Sequence, residues 1–252
     1  MIMPDSTLLN FDSNIIQVKN LVKKFGHFTA NDNLTFHVEK GEIFGFLGAN
    51  GAGKTTAIRQ LCGLLAPTSG QATVAGIDIF KNPEKVKERI GYMSQRFSLY
   101  DDLTVWENLR FYGGIYGLSN KIIKDRADYF INKLGMGKSR NTLLRDIPLG
   151  WKQKLAFSAA LLHHPNIVFM DEPTGGVDPV TRRQFWEMIY QTAEEGITIF
   201  VTTHYMDEAE YCNRISIMVD GRIVALDTPK ALVKKLKARN INEVFIMLAR
   251  KE

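Results

Sequence analysis

Three glycines, a lysine and two threonines share one short run, Gly48-Ala49-Asn50-Gly51-Ala52-Gly53-Lys54-Thr55-Thr56, spaced as Gly, four residues, Gly, Lys, Thr. A loop that wraps a polyphosphate must turn backbone N–H groups inward, which the conformational freedom of Gly48, Gly51 and Gly53 permits. Asn50 and Ala52 complete the loop, Lys54 supplies a cation to the β- and γ-phosphates, and the Thr55 hydroxyl, with Thr56 beside it, is a ligand for Mg²⁺. A helix beginning near Lys54 aims the positive end of its dipole at the anion. The alternative is a glycine-rich turn that merely joins strand to helix; the strand, loop and helix context favours the nucleotide site.

Two carboxylates end an apolar run, Ile167-Val168-Phe169-Met170-Asp171-Glu172, the pattern of a strand reaching the edge of a parallel sheet. Asp171 can hold the hydration shell of Mg²⁺, and Glu172 can orient, or take a proton from, water attacking a γ-phosphate. Gln95 follows a strand-like Ile90 to Met93; its amide can bind Mg²⁺ through oxygen and hydrogen-bond a water, although a lone glutamine reads as a surface residue. His204 directly follows the apolar Thr198 to Thr202, where it can reach the γ-phosphate or serve only as a strand-end histidine. Phe25 closes the first strand-like segment, and its ring can stack on adenine or pack at the edge of a core. His27, His37, His163 and His164 lack supporting context and are read as structural.

The elements that must position these groups follow from periodicity. Ile43 to Leu47 reads as a buried parallel strand running into the loop. Ile15 to Leu21 and Leu34 to Val38 read as antiparallel strands separated by a turn-rich Gly26 to Asn33. After a helix over Lys54 to Cys62 and a strand over Gln71 to Val74, the pattern turns helical from Leu103 to Gly150, with helices at Thr104 to Tyr116 and Ile122 to Leu134. Alternation of helix and strand then resumes through Trp151 to Leu162, Asn166 to Met170, Thr181 to Ala193 and Thr198 to Thr202. Asp220-Gly221 joins a hairpin of Ile215 to Val219 and Arg222 to Leu226, and two short helices start at Pro229 and near Asn242.

With 252 residues, 45% of them hydrophobic, the chain can bury an α/β core. No apolar run approaches a membrane span, and Met1 to Asn10 lacks the basic start of a secretory signal, so a cytoplasmic protein is expected. The net charge of +5 gathers in Lys230, Lys234, Lys235, Lys237 and Arg239; without interleaved aromatic residues this cluster reads as a solvated face, near lipid headgroups at most, and no nucleic acid is expected. Cys62 and Cys212 have no metal-ligand spacing and are read as buried thiols.

Taken in order, Phe25, the loop Gly48 to Thr56, Gln95, Ile147-Pro148-Leu149-Gly150-Trp151, the strand Ile167 to Glu172, Gly175-Gly176-Val177-Asp178 and His204 closely resemble the nucleotide-binding subunits of ATP-binding cassette (ABC) transporters. The resemblance covers roughly Ile15 to Asp227. It implies an α/β P-loop NTPase with a mostly parallel sheet core, an N-terminal antiparallel β-subdomain and an inserted α-helical subdomain. Residues 14–95 and 163–227 would form the catalytic part, 96–162 the helical signature part and 228–252 a C-terminal helical tail. It further implies Phe25 as the adenine-stacking aromatic, Gln95 as the link from Mg²⁺ to a partner, Glu172 as the base, Asp178 as the dimer-communication residue and His204 as the switch.

The family's usual signature, Leu-Ser-Gly-Gly-Gln, is here Ile147-Pro148-Leu149-Gly150-Trp151, in which Pro148 lacks both hydroxyl and N–H while Gly150 and the helix N-terminus remain. This variant resembles the ATPase subunits of ABC-2-type exporters. Lys152 is either a supplementary phosphate donor or a solvated lysine. The implied cofactors are ATP and Mg²⁺. The implied partners are a second, head-to-tail copy or homologous ATPase subunit, and separate integral-membrane permease subunits of ABC-2 type docked near Gln95 to Thr104, which places the chain at the cytoplasmic face of the membrane. Three readings compete: an ATPase that powers export through those permeases, which the resemblance favours; a soluble ABC ATPase acting on nucleic acid or ribosomes, disfavoured by a single cassette without coiled-coil heptads; and a nucleotide-regulated subunit that hydrolyses poorly.

Overall fold

In the computed structural model, which describes residues 14–95 and 99–250, the chain opens with two long strands, β1 (Asn14–Phe25) and β2 (Phe28–Glu39). They are joined at Gly26 and His27, with Gly26 at φ 57°, a left-handed conformation that suits glycine. The expected loop through Asn33 is therefore mostly strand. Thr29 and Asn31 pair with Lys24 and Lys23, and burial of Ala30 and Asn31 gives the segment an inner face that its turn-forming residue types do not advertise.

Next come β3 (Ile43–Gly48), α1 (Lys54–Leu61), β4 (Ser69–Val74), β5 (Ile77–Asp78), the short α2 (Pro83–Lys87) and β6 (Ile90–Met93). A helical stretch follows, α3 (Val105–Ile115), α4 (Asn120–Lys133) and α5 (Leu149–Ala160). Thr104 and Glu107 start α3 with a reciprocal capping box, and Ser119 caps α4. The chain returns through β7 (Ile167–Asp171), α6 (Pro179–Glu194), β8 (Thr198–Thr203), β9 (Arg214–Val219) and β10 (Arg222–Asp227), and ends in α7 (Pro229–Leu236) and α8 (Ile241–Ala249).

Two sheets result. An antiparallel one has the order β2-β1-β4-β5, and a mostly parallel one has the order β10-β9-β3-β8-β7-β6, with only the β9–β10 hairpin antiparallel. Side-chain alternation along the parallel strands serves both faces. Phe44 and Phe46 of β3, Phe169 of β7 and Phe200 of β8 join Phe36 of β2 and Ile58 of α1 in one core; Phe36 stacks on Phe44 with ring centroids 5.7 Å apart. Leu47, Val168, Met170, Ile199 and Val201 face the other core, with α5, α6 and the tail residues Leu232 and Val244. A sheet covered on both sides explains the near-continuous apolar runs.

The residues read as structural behave so. His163 stacks on Tyr116 at 3.6 Å, and burial pushes its pKa down to about 4. His37 receives an Arg214 contact, and Cys62 and Cys212 are buried free thiols. In the basic cluster Lys235 is ion-paired to Asp227, while Lys230, Lys234, Lys237 and Arg239 are exposed. Among the described residues, no helix is long and apolar enough to cross a membrane.

Candidate active site

The sheet order decides which chemistry can meet. β3, β8, β7 and β6 are consecutive parallel neighbours, and each carries one expected group just past its C-terminal end: the phosphate loop after β3, His204 after β8, Asp171 and Glu172 at β7, and Gln95 after β6. Glu172 is the meeting point. Lys54 Nζ lies 3.2 Å from its Oε1; Gln95 Nε2 donates to its Oε2 at 3.1 Å, and His204 Nδ1 lies 2.9 Å from the same oxygen. Its backbone sits at φ 50°, left-handed for a non-glycine residue and therefore strained, and its N–H is held by Thr202 O and Thr202 Oγ1, each at 3.1 Å.

The loop is built to keep its shape without a side chain in the way. A Cβ on Gly53 would come within 2.3 Å of Ala30 O, and one on Gly48 within 2.7 Å of Met218 O. Gly53, at φ 99°, caps α1 without any side-chain hydrogen bond, and no acidic residue occupies the first turn. The first residues of α1, whose N–H groups no side chain caps, thus line a cleft of about 240 Å³. Asn50, Gly51, Lys54, Thr55 and Thr56 line it together with Gln95 and Glu172. Buried Lys54 donates to Gly48 O at 2.9 Å and Ala49 O at 3.1 Å, so its ammonium is held at the floor. An ammonium at the floor beside a helix N-terminus with no acidic residue in its first turn fits a polyphosphate.

For Mg²⁺ the available donors are the Thr55 hydroxyl, the Gln95 carbonyl oxygen and Asp171, all oxygen and therefore suited to a hard cation. Asp171 is almost wholly buried, and its Oδ1 accepts from Thr202 Oγ1 at 2.7 Å. Among the described residues, no group of three or more His, Cys, Asp or Glu could enclose a metal by itself.

Other expected residues lie elsewhere. Phe25 is half-exposed at the hairpin tip, with Lys23 Nζ 5.0 Å from its ring centroid, whereas Phe28, its cross-strand partner, lines the cleft. Sequence reasoning passed over Phe28 because it falls in the segment read as a loop. Ala52, within the loop, is buried and does not line the cleft. Gly150 and Asp178 line a separate cleft with Pro148, Leu149, Trp151 and Thr181, to which no phosphate-loop residue contributes. Asp178 caps α6, accepting from Val180 N, Thr181 N and the Thr181 hydroxyl; that last bond does most to hold its carboxyl below the usual range. Lys152 is neither solvated nor free: it pairs with Asp101 at 3.0 Å, a partner distant in sequence. The expected docking segment from Gln95 to Thr104 includes residues 96–98, which lie outside the described residues.

Comparison with known proteins agrees with this geometry. The family model described as ABC transporter matches residues 31–175. Over 229 residues the chain is 48% identical to the probable multidrug ABC transporter ATP-binding protein YbhF of Escherichia coli (strain K12), covering 91% of this chain and 39% of that protein. The chain thus spans well under half of that relative's length. It is 37% identical over 245 residues to the linearmycin resistance ATP-binding protein LnrL of Bacillus subtilis (strain 168), covering 94% of this chain and 79% of that one. A solved structure described as the ATP binding subunit of an ABC transporter superposes with a TM-score of 0.83 at 28% identity, covering 93% of this chain and 99% of that chain. With its P-loop fold and the phosphate loop, carboxylates and histidine at one sheet edge, the chain belongs to the ABC transporter family.

Proposed function

We propose that this chain binds and hydrolyses ATP to drive export through separate permease subunits at the cytoplasmic face of a membrane. The observation that carries the reading is the convergence of Lys54, Gln95 and His204 on the strained carboxylate of Glu172, beside an uncapped helix N-terminus. Lys54 binds the β- and γ-phosphates, exchanging its contacts with Glu172 and two carbonyls for phosphate oxygens. Thr55, Gln95 and Asp171 would hold Mg²⁺, which neutralises charge on the phosphates. Glu172, once released by Lys54, orients the attacking water and accepts its proton, and His204 positions Glu172 and reads the γ-phosphate.

Gly150 and Asp178 act across a head-to-tail dimer, since their cleft is separate from the loop of their own chain. The described parts of 14–95 and 163–227 work as the catalytic unit, the helical stretch within 96–162 presents Gly150, and the tail packs on the core. Export is favoured over nucleic-acid work by relatives whose names concern multidrug transport and linearmycin resistance. A permease of ABC-2 type is the partner that the Pro148-Leu149-Gly150-Trp151 signature favours. The test is twofold: steady-state ATP hydrolysis by the purified chain with and without Mg²⁺, and purification of the tagged chain from membranes. Mg²⁺-dependent turnover and a co-purifying integral-membrane subunit are expected. Turnover without a membrane partner, and recovery with ribosomes or DNA, would overturn the export reading.

A further inference from the structure

A second buried carboxylate lies behind the cleft and takes no part in it. Glu208 opens the short helical turn Glu208–Tyr211 and is fully buried. Thr174 Oγ1 donates to its Oε1 at 2.5 Å, and Thr203 Oγ1 donates to its Oε2 at 2.6 Å. Arg182 Nε stands 3.7 Å from Oε1, buried and without a hydrogen-bond partner, while its guanidinium lies over the Tyr205 ring at 4.2 Å. The Thr203 hydroxyl also accepts from Tyr205 N at 3.0 Å.

These partners sit next to the groups of the proposed site. Thr174 is two residues past Glu172, Thr203 immediately precedes His204, and Arg182 is one helical turn past Asp178, with its N–H on Asp178 O at 3.0 Å. One carboxylate therefore touches all three segments that present the proposed base, the switch histidine and the dimer-facing aspartate. Burying a carboxylate is unfavourable unless both oxygens are satisfied, so an apolar residue would serve mere packing better. The left-handed backbone of Glu172 likewise persists only where its surroundings over-determine it, and Thr174 anchors the chain just beyond it.

We infer that Glu208 is a positioning residue for hydrolysis: it ties the end of β7 to the end of β8, so that Glu172 and His204 remain in contact, and through Arg182 it links that pair to the Asp178 segment. The inference rests on the reading of Glu172 as the base. Glu208→Gln preserves volume and one acceptor but puts an amide NH₂ where the second threonine needs an acceptor. Its kcat for ATP should fall about tenfold or more, with KM and equilibrium ATP affinity within about twofold of the parent. Thr203→Val and Thr174→Val should each lose kcat alone, and Glu208→Gln combined with Thr203→Val should be no worse than Glu208→Gln, as expected of coupled groups.

Unchanged kcat in Glu208→Gln overturns the inference. So do parallel losses of kcat and ATP affinity, the mark of general loosening. Should Glu208→Gln fail to fold, the two threonine variants decide by the same criterion. Glu172→Gln measured alongside separates the two claims: continued turnover in that variant sinks the base assignment, whereas a dead Glu172→Gln beside a fully active Glu208→Gln sinks the positioning role alone.

Discussion

The phosphate-loop cleft and the signature cleft differ in how complete each is within one chain. In the first, polar groups from the ends of four neighbouring strands contact one another around Glu172, so the donors, the carboxylate and the cation are cross-linked within one chain. In the second, Gly150 and Asp178 are held from behind, by Thr181 and the start of α6, while Leu149 and Trp151 stand 42% and 38% exposed at the rim. In the proposed head-to-tail dimer, preorganisation would be intramolecular for the chemistry and intermolecular for its completion. Exposed apolar side chains beside an open helix N-terminus are what half of a shared site presents.

The comparison breaks most readily at Lys54. Lys54→Ala should abolish tight ATP binding, since it removes the cation that the loop holds at the cleft floor. An affinity measured by equilibrium titration that stays within about twofold of the parent would contradict the first cleft as the phosphate site. Glu172→Gln should bind ATP normally and almost cease to hydrolyse it, because the amide keeps the shape but accepts no proton. It should also accumulate as an ATP-bound dimer by size-exclusion chromatography. Brisk turnover in that variant would transfer the role of base to another group, His204 first.

Much of this was legible in sequence, and where it was not, the reason is physical. Elements whose apolar periodicity was strong, such as Ile90–Met93 and the hairpin around Asp220-Gly221, lie where their residues predict. Phe28 to Asn33 misled because Thr, Asn, Asp and Asn are turn formers unless a neighbouring strand claims their backbone, as β1 does. Lys152 looked solvated because its partner Asp101 is brought near only by the packed helical stretch. Glu208 was invisible for the same reason: a glutamate in an acidic run reads as surface until Thr174 and Thr203 are placed beside it.

Two further substitutions sharpen the contrast. A Cβ on Gly150 would lie 2.3 Å from Thr181 Cγ2, so Gly150→Ala should destabilise the chain by about 1–3 kcal/mol through overpacking. Thr181→Ser removes that methyl and should recover most of the loss, as denaturant unfolding would measure. Nucleotide affinity of the monomer should not change in either variant, because no phosphate-loop residue lines this cleft. On the other side, Phe28→Ala should weaken ATP binding by roughly 1–3 kcal/mol if its ring covers the base, using aromatic stacking as the guide. Phe25→Ala and Phe25→Tyr complete that experiment: a loss in the alanine variant alone marks stacking by Phe25, and equal losses in both mark packing.

The smallest effect belongs to Pro148. It occupies the N-cap of α5, where no side chain caps the helix. A serine at an N-cap accepts from the N–H groups of the first turn and is worth about 0.5–2 kcal/mol, so Pro148→Ser should raise the thermal midpoint by about 2–4 °C for each kcal/mol gained in a chain of this size. The same hydroxyl, while accepting from the backbone, still has a proton to donate outward to a nucleotide on an opposing copy. Lys152 is directed to Asp101, 3.0 Å away, rather than held free as a substitute donor. Combined with Glu172→Gln, Pro148→Ser should therefore tighten the ATP-dependent dimer about tenfold, a hydrogen bond to a charged group being worth about 1.5–3 kcal/mol. Sedimentation across protein concentration, with ATP and Mg²⁺, measures it. A raised midpoint with an unchanged dimer would mean that Gly150 and the N–H groups of α5 already complete the contact, and that the proline signature costs the shared site nothing.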